Sequence, residues 1–438
     1  MKLILVLLDG VGDRSYDVLN HQTPLEAANT PNMDRLATIG STGLFHASSL
    51  GECLPSEMAH FLLFGYDREN FPGRGLLEAV GEKVPFGDSD VLALAHFSGV
   101  LCEQGGFVLD RGRDDIPGSK EDLRELFLAL ESYEDDDIRF RLYQTRRNDG
   151  IIVISGKVSP YISDSDPIAC GKKIGRVLAL HNNPEPVMAK QTADALNRYL
   201  TYCYHNLSCN NELCKKANFL VTQRCGRRVV QKPFASVWGL KPMMIASVSV
   251  YEGLAHELGF DFVKAEDGEK PGQDLEERIR LALDDSDHDF FHVHTKVPDE
   301  ISHKGTPMLK KQALEDIDRG LGELVGIVEQ TENVMVIVTG DHSTPSGSSH
   351  SGSSPSCSKM IHSGETVPVV IAGPNVRRDR VDRFDEISVA TGCLGLLRGR
   401  ELMQMALNFA DQSVLATLQL GDTVNFFVPD DYPPFILK

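Results

Sequence analysis

The chain has 438 residues, and at about 150 residues per domain this length points to two or three domains. Hydrophobic residues make up 41% and charged residues 24%, which excludes a disordered chain. Lys+Arg total 44 against 63 Asp+Glu, a formal charge of −19, so neither nucleic acid nor an anionic membrane surface is an expected partner.

In chain order, the first element is an apolar run, Lys2 to Leu8, followed by the loop Asp9-Gly10-Val11-Gly12-Asp13. A continuous rather than alternating run reads as a strand buried on both faces, as in a parallel sheet. The run Leu3 to Leu8 is too short for a signal sequence, and no stretch approaches the roughly 20 apolar residues that span a bilayer. A cytoplasmic protein is expected. Residues 86–190 read as a smaller α+β insert. They show short strands at Ala93 to Val100, Phe107 to Leu109, Ile138 to Tyr143 and Gly150 to Ile154, and an acidic helix at Lys120 to Leu130.

Cys203, His205, Cys209, Cys214 and Cys225 follow, spaced too irregularly for a zinc site and read as helix-face or loop thiols. The nine cysteines, an odd number, form no disulfide framework. Apolar runs then return at Met243 to Val248, Phe290 to Val293, Val334 to Val338 and Val367 to Ile371. Helical patterns lie between them, at Tyr251 to Leu258, Leu275 to Leu283 and Leu309 to Val328. Strands alternating with helices predict an α/β core sheet with crossover helices, formed by residues 1–85 and 191–438.

The residues that could carry chemistry sit beside the strands, where an open parallel sheet places its ligands. Asp9 follows the first strand. Asp299 and His303 follow Phe290 to His294, with Lys296 between. Asp341 and His342 follow Val334 to Thr339, and His362 precedes the last apolar strand. Singly, each has a plainer reading as a turn, cap, loop or surface residue. Together they offer the three carboxylates and three imidazoles that Mn²⁺ or Zn²⁺ takes, and Asp299 and His303, four apart, share a helix face. Ser56, in Pro55-Ser56-Glu57, stands at a helix start, and from spacing alone it reads as an N-cap before it reads as a nucleophile.

Motifs along nearly the whole chain resemble the archaeal-type cofactor-independent (2,3-bisphosphoglycerate-independent) phosphoglycerate mutases, of the alkaline phosphatase superfamily. They include Leu8-Asp9-Gly10-Val11-Gly12-Asp13, Thr23-Pro24-Leu25-Glu26-Ala27-Ala28, Thr30-Pro31-Asn32-Met33-Asp34, Pro55-Ser56 and Pro72-Gly73-Arg74-Gly75. Later come Ile162-Ser163-Asp164-Ser165-Asp166-Pro167, Ala217-Asn218, Lys296 with Pro298-Asp299, Thr339 to Pro345 and His362-Ser363.

The resemblance implies an alkaline-phosphatase-like, metal-bearing core sheet with an inserted substrate-binding lid. It implies interconversion of 3-phosphoglycerate and 2-phosphoglycerate through a phosphoserine at Ser56, without 2,3-bisphosphoglycerate. Asp9, Ser56, Asp341 and His342 would hold one divalent ion, and Asp299, His303 and His362 the other. Mn²⁺ is the expected metal, with Mg²⁺ and Zn²⁺ as alternatives. Arg74, Arg111, Arg113, Arg224 and Lys296 are the cations expected to grip a small phosphorylated acid, since guanidinium suits bidentate oxyanion contacts.

Four features depart from the family pattern. Val297 stands where Gly is usual, Lys304 follows His303 where an acid is usual, and Arg224-Cys225-Gly226 alters an Arg-Gly-x-Gly motif. A Ser-rich insertion occupies 346–358, expected near the cleft mouth. Two other readings therefore stay open at this point. One is a paralogous phosphomutase or phosphohydrolase acting on another phosphorylated or phosphonate acid. The other is a non-catalytic binding protein.

Overall fold

The computed structural model describes residues 1–347, 362–415, 426–429 and 432–437. Most of the Ser-rich insertion lies outside the described residues. Within them the chain forms two compact units: the first from the described parts of Met1–Phe71, Gln231–Ser351 and Met360–Lys438, the second from Pro72–Val230. In chain order the strands are β1 (Lys2–Leu8), β2 (Ser41–His46), β3 (Val91–Glu103), β4 (Gly106–Arg111), β5 (Ser132–Asp135), β6 (Ile138–Gln144) and β7 (Asp149–Ser155). They continue with β8 (Phe219–Gly226), β9 (Pro242–Ala246), β10 (Asp261–Lys264), β11 (Phe290–Thr295), β12 (Val334–Thr339), β13 (Val367–Ala372) and β14 (Gly395–Arg398). No helix among the described residues is long and apolar enough to cross a membrane.

The first unit is built on an eight-stranded sheet ordered β10-β9-β11-β1-β12-β13-β2-β14. β1 lies between β11 and β12, parallel to both, and its residues Leu3 to Leu8 are buried on both faces. Register fixes where the chemistry emerges. Leu8 pairs with Thr295 and Leu7 with Thr339, so Asp9, Lys296 and Gly340-Asp341 leave the sheet at one edge. The sheet is not wholly parallel: β13 runs antiparallel to both β12 and β2. An apolar run predicts burial but carries no information on strand direction. The single helix expected over Leu309 to Val328 is two, Pro307–Gly320 and Gly322–Gln330, interrupted between the two glycines.

The second unit is an antiparallel sheet ordered β4-β3-β7-β6-β5, with β8 also paired to β3. Against it pack the helix Lys120–Ala129, closed by a Ser119–Asp122 capping box, and the 24-residue helix Pro186–Cys209. Tyr199 of that long helix stacks on Phe140, with ring centroids 4.9 Å apart, and donates its hydroxyl to Leu130 O. The unit is wider than the 86–190 insert read from sequence. The reason is packing: Leu196, Tyr199, Cys203, Leu220 and Val221 are buried in the same core as Phe97 and Ile152. Cys203 is therefore a core thiol, and burial pushes it above its usual value.

Back in the first unit, one buried cation ties together the loops that follow β1 and β12. Lys310, on the helix Pro307–Gly320, is fully buried and donates to Gly10 O (2.8 Å), Gly12 O (3.0 Å) and Thr344 O (3.0 Å). Its ion pair is Asp13, at 3.1 Å. Asp13 in turn accepts from the Ser346 hydroxyl (2.7 Å) and the Tyr16 hydroxyl (2.7 Å). Glu386 closes the network by accepting the Asp13 N–H (3.1 Å) and the Thr23 hydroxyl (2.7 Å).

A fragment spanning 72–230 should show a cooperative thermal transition by circular dichroism, whereas 86–190 should not; a cooperative 86–190 fragment would contradict the wider unit. Lys310→Met should cost about 3 kcal/mol, because it leaves Asp13 buried without its counter-charge; a wild-type Tm by calorimetry would refute this. Burial pushes Glu386 from 4.5 up to about 7. A carboxyl whose folded value is raised contributes fully below its unfolded value, and that contribution is lost as pH rises through about 7. Glu386→Gln should therefore lose less stability than wild type between about pH 5 and about pH 8; parallel Tm curves would exclude the assignment.

Candidate metal centre and nucleophile

The loop after β1 carries Asp9 into the site, and Gly10 lets it turn there. Gly10 has φ +66°, and a Cβ on it would stand 2.6 Å from Thr344 Oγ1 and 2.9 Å from Asp299 Cβ. No larger residue fits between these two segments. Asp299 and His303 come from the helix Val297–Lys304, one turn apart, as their spacing predicts. Asp341 and His342 follow β12 directly, and His362 precedes β13.

These side chains converge in two groups that could hold an ion: Asp299, His303 and His362, and Asp9, Asp299 and His342. His303 Nε2 lies 3.2 Å and His362 Nε2 3.6 Å from Asp299 Oδ1. His342 Nε2 lies 3.5 Å from Asp9 Oδ1 and 3.2 Å from Asp341 Oδ2. The rings of His342 and His362 stack at 3.7 Å, which joins the groups. Asp299 thus stands between the two, rather than belonging to one alone.

Ser56 is the first residue of the helix Ser56–Leu63, and Pro55 is its N-cap. The capping role read from spacing is not what the side chain does. Its Oγ points into the cluster, 3.0 Å from His342 Nε2 and 3.5 Å from Asp9 Oδ1. His60, one turn on, donates through Nδ1 to Ser56 O at 2.7 Å and lies 3.5 Å from Asp341 Oδ2.

The donor set fits divalent cations. Asp9, Asp299 and Asp341 are buried together, and Lys296 supplies one ammonium, 2.9 Å from Asp9 Oδ2 and 3.0 Å from Asp299 Oδ2. Three carboxylates against one ammonium leave the pocket short of positive charge. Asp341 Oδ1 accepts the Gly10 and His342 N–H groups, both at 3.0 Å, but its buried Oδ2 has no hydrogen-bond partner among the described residues.

Burial and neighbouring Asp9 push Asp341 well above the usual carboxylate range. Asp9 and Asp299 are held below it despite their burial, with Lys296 a lowering influence on both. Burial also depresses His342 and His362, favouring the neutral imidazole that ligates metal.

Lys296, expected as a substrate cation, places its ammonium between the carboxylates of Asp9 and Asp299. The four arginines singled out with it all belong to the Pro72–Val230 unit. Arg74 Nε lies 2.6 Å from Glu78, Arg113 pairs with Asp149, Arg111 ends β4, and Arg224 lies on β8 with its N–H on Asp164 Oδ1 at 2.7 Å. Lys304, the unusual neighbour of His303, is exposed at the last turn of its helix. The thiols at Cys203, Cys209, Cys214 and Cys225 form no metal-capable group among the described residues.

Sequence reasoning missed His60, Tyr251, His294 and Lys310. Two signals were available: histidines inside the apolar run Phe290 to Thr295, and a histidine one helical turn after Ser56.

The sequence model of the metalloenzyme superfamily matches residues 1–409. A 2,3-bisphosphoglycerate-independent phosphoglycerate mutase 2 of Methanocaldococcus jannaschii is 38% identical, with 98% of each chain covered. A 2,3-bisphosphoglycerate-independent phosphoglycerate mutase of Methanobrevibacter smithii is 32% identical over 93% of this chain and 98% of its own. Among solved structures, the cofactor-independent phosphoglycerate mutase of Thermoplasma acidophilum is 26% identical, with a TM-score of 0.59 over 94% of this chain and 100% of that one. The full-length match and the matching fold lead to one assignment: the chain belongs to the 2,3-bisphosphoglycerate-independent phosphoglycerate mutases, within the metalloenzyme superfamily.

Proposed function

We propose that this chain interconverts 3-phosphoglycerate and 2-phosphoglycerate through a phosphoserine at Ser56. One observation carries the reading: Ser56 Oγ is aimed from the first position of its helix into the carboxylate–imidazole cluster, 3.0 Å from His342. In the forward direction the phosphorus–oxygen bond to the 3-hydroxyl breaks as one to Ser56 Oγ forms. The serine proton passes to the glycerate. The second transfer reverses this at the 2-hydroxyl, so no external phosphoryl donor is consumed.

Asp9, Ser56, Asp341 and His342 on one side, and Asp299, His303 and His362 on the other, are the proposed ligands of two divalent ions, Mn²⁺ in our reading. Bound there, such ions would stabilise the serine alkoxide and offset charge on the phosphoryl oxygens. The chain's own contribution is preorganisation. Gly10 and Lys310 bring the ligand loops together, and the backbone N–H groups at the start of the Ser56 helix favour an anion beside Oγ. Lys296 adds a positive charge next to Asp9 and Asp299. Arg74, Arg111, Arg113 and Arg224 are proposed as further substrate contacts, on the chemical ground that guanidinium matches carboxylate and phosphate. Residence in the cytoplasm belongs to the same reading, supported by eight described cysteines that are all unpaired.

The test is a coupled assay of 2-phosphoglycerate formation by the Mn²⁺-loaded protein without 2,3-bisphosphoglycerate. Ser56→Ala should lower kcat by at least about 10³-fold with the circular dichroism spectrum unchanged. Chelation should abolish turnover, and Mn²⁺ should restore it. Full activity in Ser56→Ala would eliminate the phosphoserine. Stoichiometric release of free phosphate would mean a phosphohydrolase instead.

A further inference from the structure

The two oxygens of Asp9 have different surroundings. Oδ1 faces the reacting groups, 3.5 Å from both Ser56 Oγ and His342 Nε2. Oδ2 faces away and accepts three donors: the Tyr251 hydroxyl at 2.8 Å, His294 Nε2 at 3.1 Å and Lys296 Nζ at 2.9 Å. Lys296 divides its ammonium between Asp9 and Asp299. The Tyr251 hydroxyl and His294 Nε2 make their hydrogen bonds to Asp9.

Both are themselves fixed. Tyr251 is fully buried on the helix Ser249–Leu258, which follows β9, and His294 is fully buried near the end of β11. Their ring centroids lie 4.2 Å apart, and the His60 ring lies 4.7 Å from Tyr251 and 5.4 Å from His294. Packing of this kind leaves each donor one direction in which to point. A carboxylate at the end of a loop has a free χ2 and can turn either oxygen to a cation. Here one oxygen is already bonded by groups from two other elements.

We propose that Tyr251 and His294 are positioning residues that engage Asp9 Oδ2 and so present Oδ1 to the cation and to Ser56. This rests on the reading of Asp9 as a ligand. Hydrogen-bonding the outer oxygen of a ligating carboxylate fixes its orientation, and loss of such a partner typically costs about 10- to 100-fold in metal affinity or activity.

The experiment uses the full-length, Mn²⁺-loaded protein. Mn²⁺ affinity is measured by chelator competition, and kcat and KM at saturating Mn²⁺, for Tyr251→Phe, His294→Ala, His294→Gln and Asp9→Asn. Tyr251→Phe and His294→Ala should each weaken Mn²⁺ binding about tenfold and lower kcat about tenfold, with KM within about twofold of wild type. His294→Gln, which keeps a donor near the Nε2 position, should recover most of both losses; a general packing role would not be rescued this way. If Asp9→Asn weakens Mn²⁺ binding while Tyr251→Phe and His294→Ala do not, the positioning role is wrong and the metal reading stands. If Asp9→Asn binds Mn²⁺ as wild type does, Asp9 is no ligand and both readings fall.

Discussion

The site depends on one buried ammonium. Lys310 binds carbonyl oxygens from the loop after β1 and from the loop after β12, and both loops carry proposed ligands. Buried backbone carbonyls without donors are costly, and Lys310 supplies a donor to each of these three, Gly12 O also accepting the Thr344 N–H at 2.9 Å. A lysine can serve three of them at once because its ammonium has three protons and no acceptor requirement. Asp13 balances the charge at 3.1 Å, and Ser346 and Tyr16 hold Asp13. Two chain segments more than 300 residues apart are thereby held together beside the proposed metal ligands.

Around that tie the site is arranged in shells of decreasing charge. Asp9, Asp299 and Asp341 lie at the centre, with His342 and His362 stacked between the groups. Outside them stand donors that act on the carboxylates: Thr344 on Asp299 Oδ1 at 2.8 Å, Gly10 N–H on Asp341 Oδ1, and Tyr251 and His294 on Asp9 Oδ2. The apolar ring of Phe64 lies beyond, against His292 and Phe260. A chain carrying −19 overall can thus handle an anionic substrate, because the surface charge and the charge at the site are separate quantities.

How much of this was legible depended on whether the information was local. β1, β11, β12 and β13 were visible because continuous burial needs continuous apolar sequence. Asp9, Asp299 and Asp341 were visible because an open sheet places its chemistry just after strand ends. β2, Ser41-Thr-Gly-Leu-Phe-His46, was not: it is short and half polar, and it is a strand only because β13 and β14 flank it. Lys310 carries no local signal on its amphipathic helix, since Gly10, Gly12 and Asp13 lie some 300 residues away in sequence. Tyr251 and His294 were hidden for the same reason. Ser56 was ambiguous because a helix cap and a first-turn nucleophile differ by one position and a rotamer.

The central place of β1 also has a consequence for how the protein is made. β1 hydrogen-bonds to β11 and β12, so its partners are not synthesised until residues 290–295 and 334–339 appear. At about 5–20 residues per second that delay is on the order of tens of seconds. For all of it, a strongly apolar hexamer, Leu3 to Leu8, has no native strand beside it. The Pro72–Val230 unit, whose core is drawn from one continuous stretch, can close in the meantime. Translation thus favours an order in which the interrupting unit folds first and the sheet that bears Asp9 assembles around β1 afterwards. Leu3 to Leu8 is accordingly an aggregation-prone segment until residues 334–339 have been made.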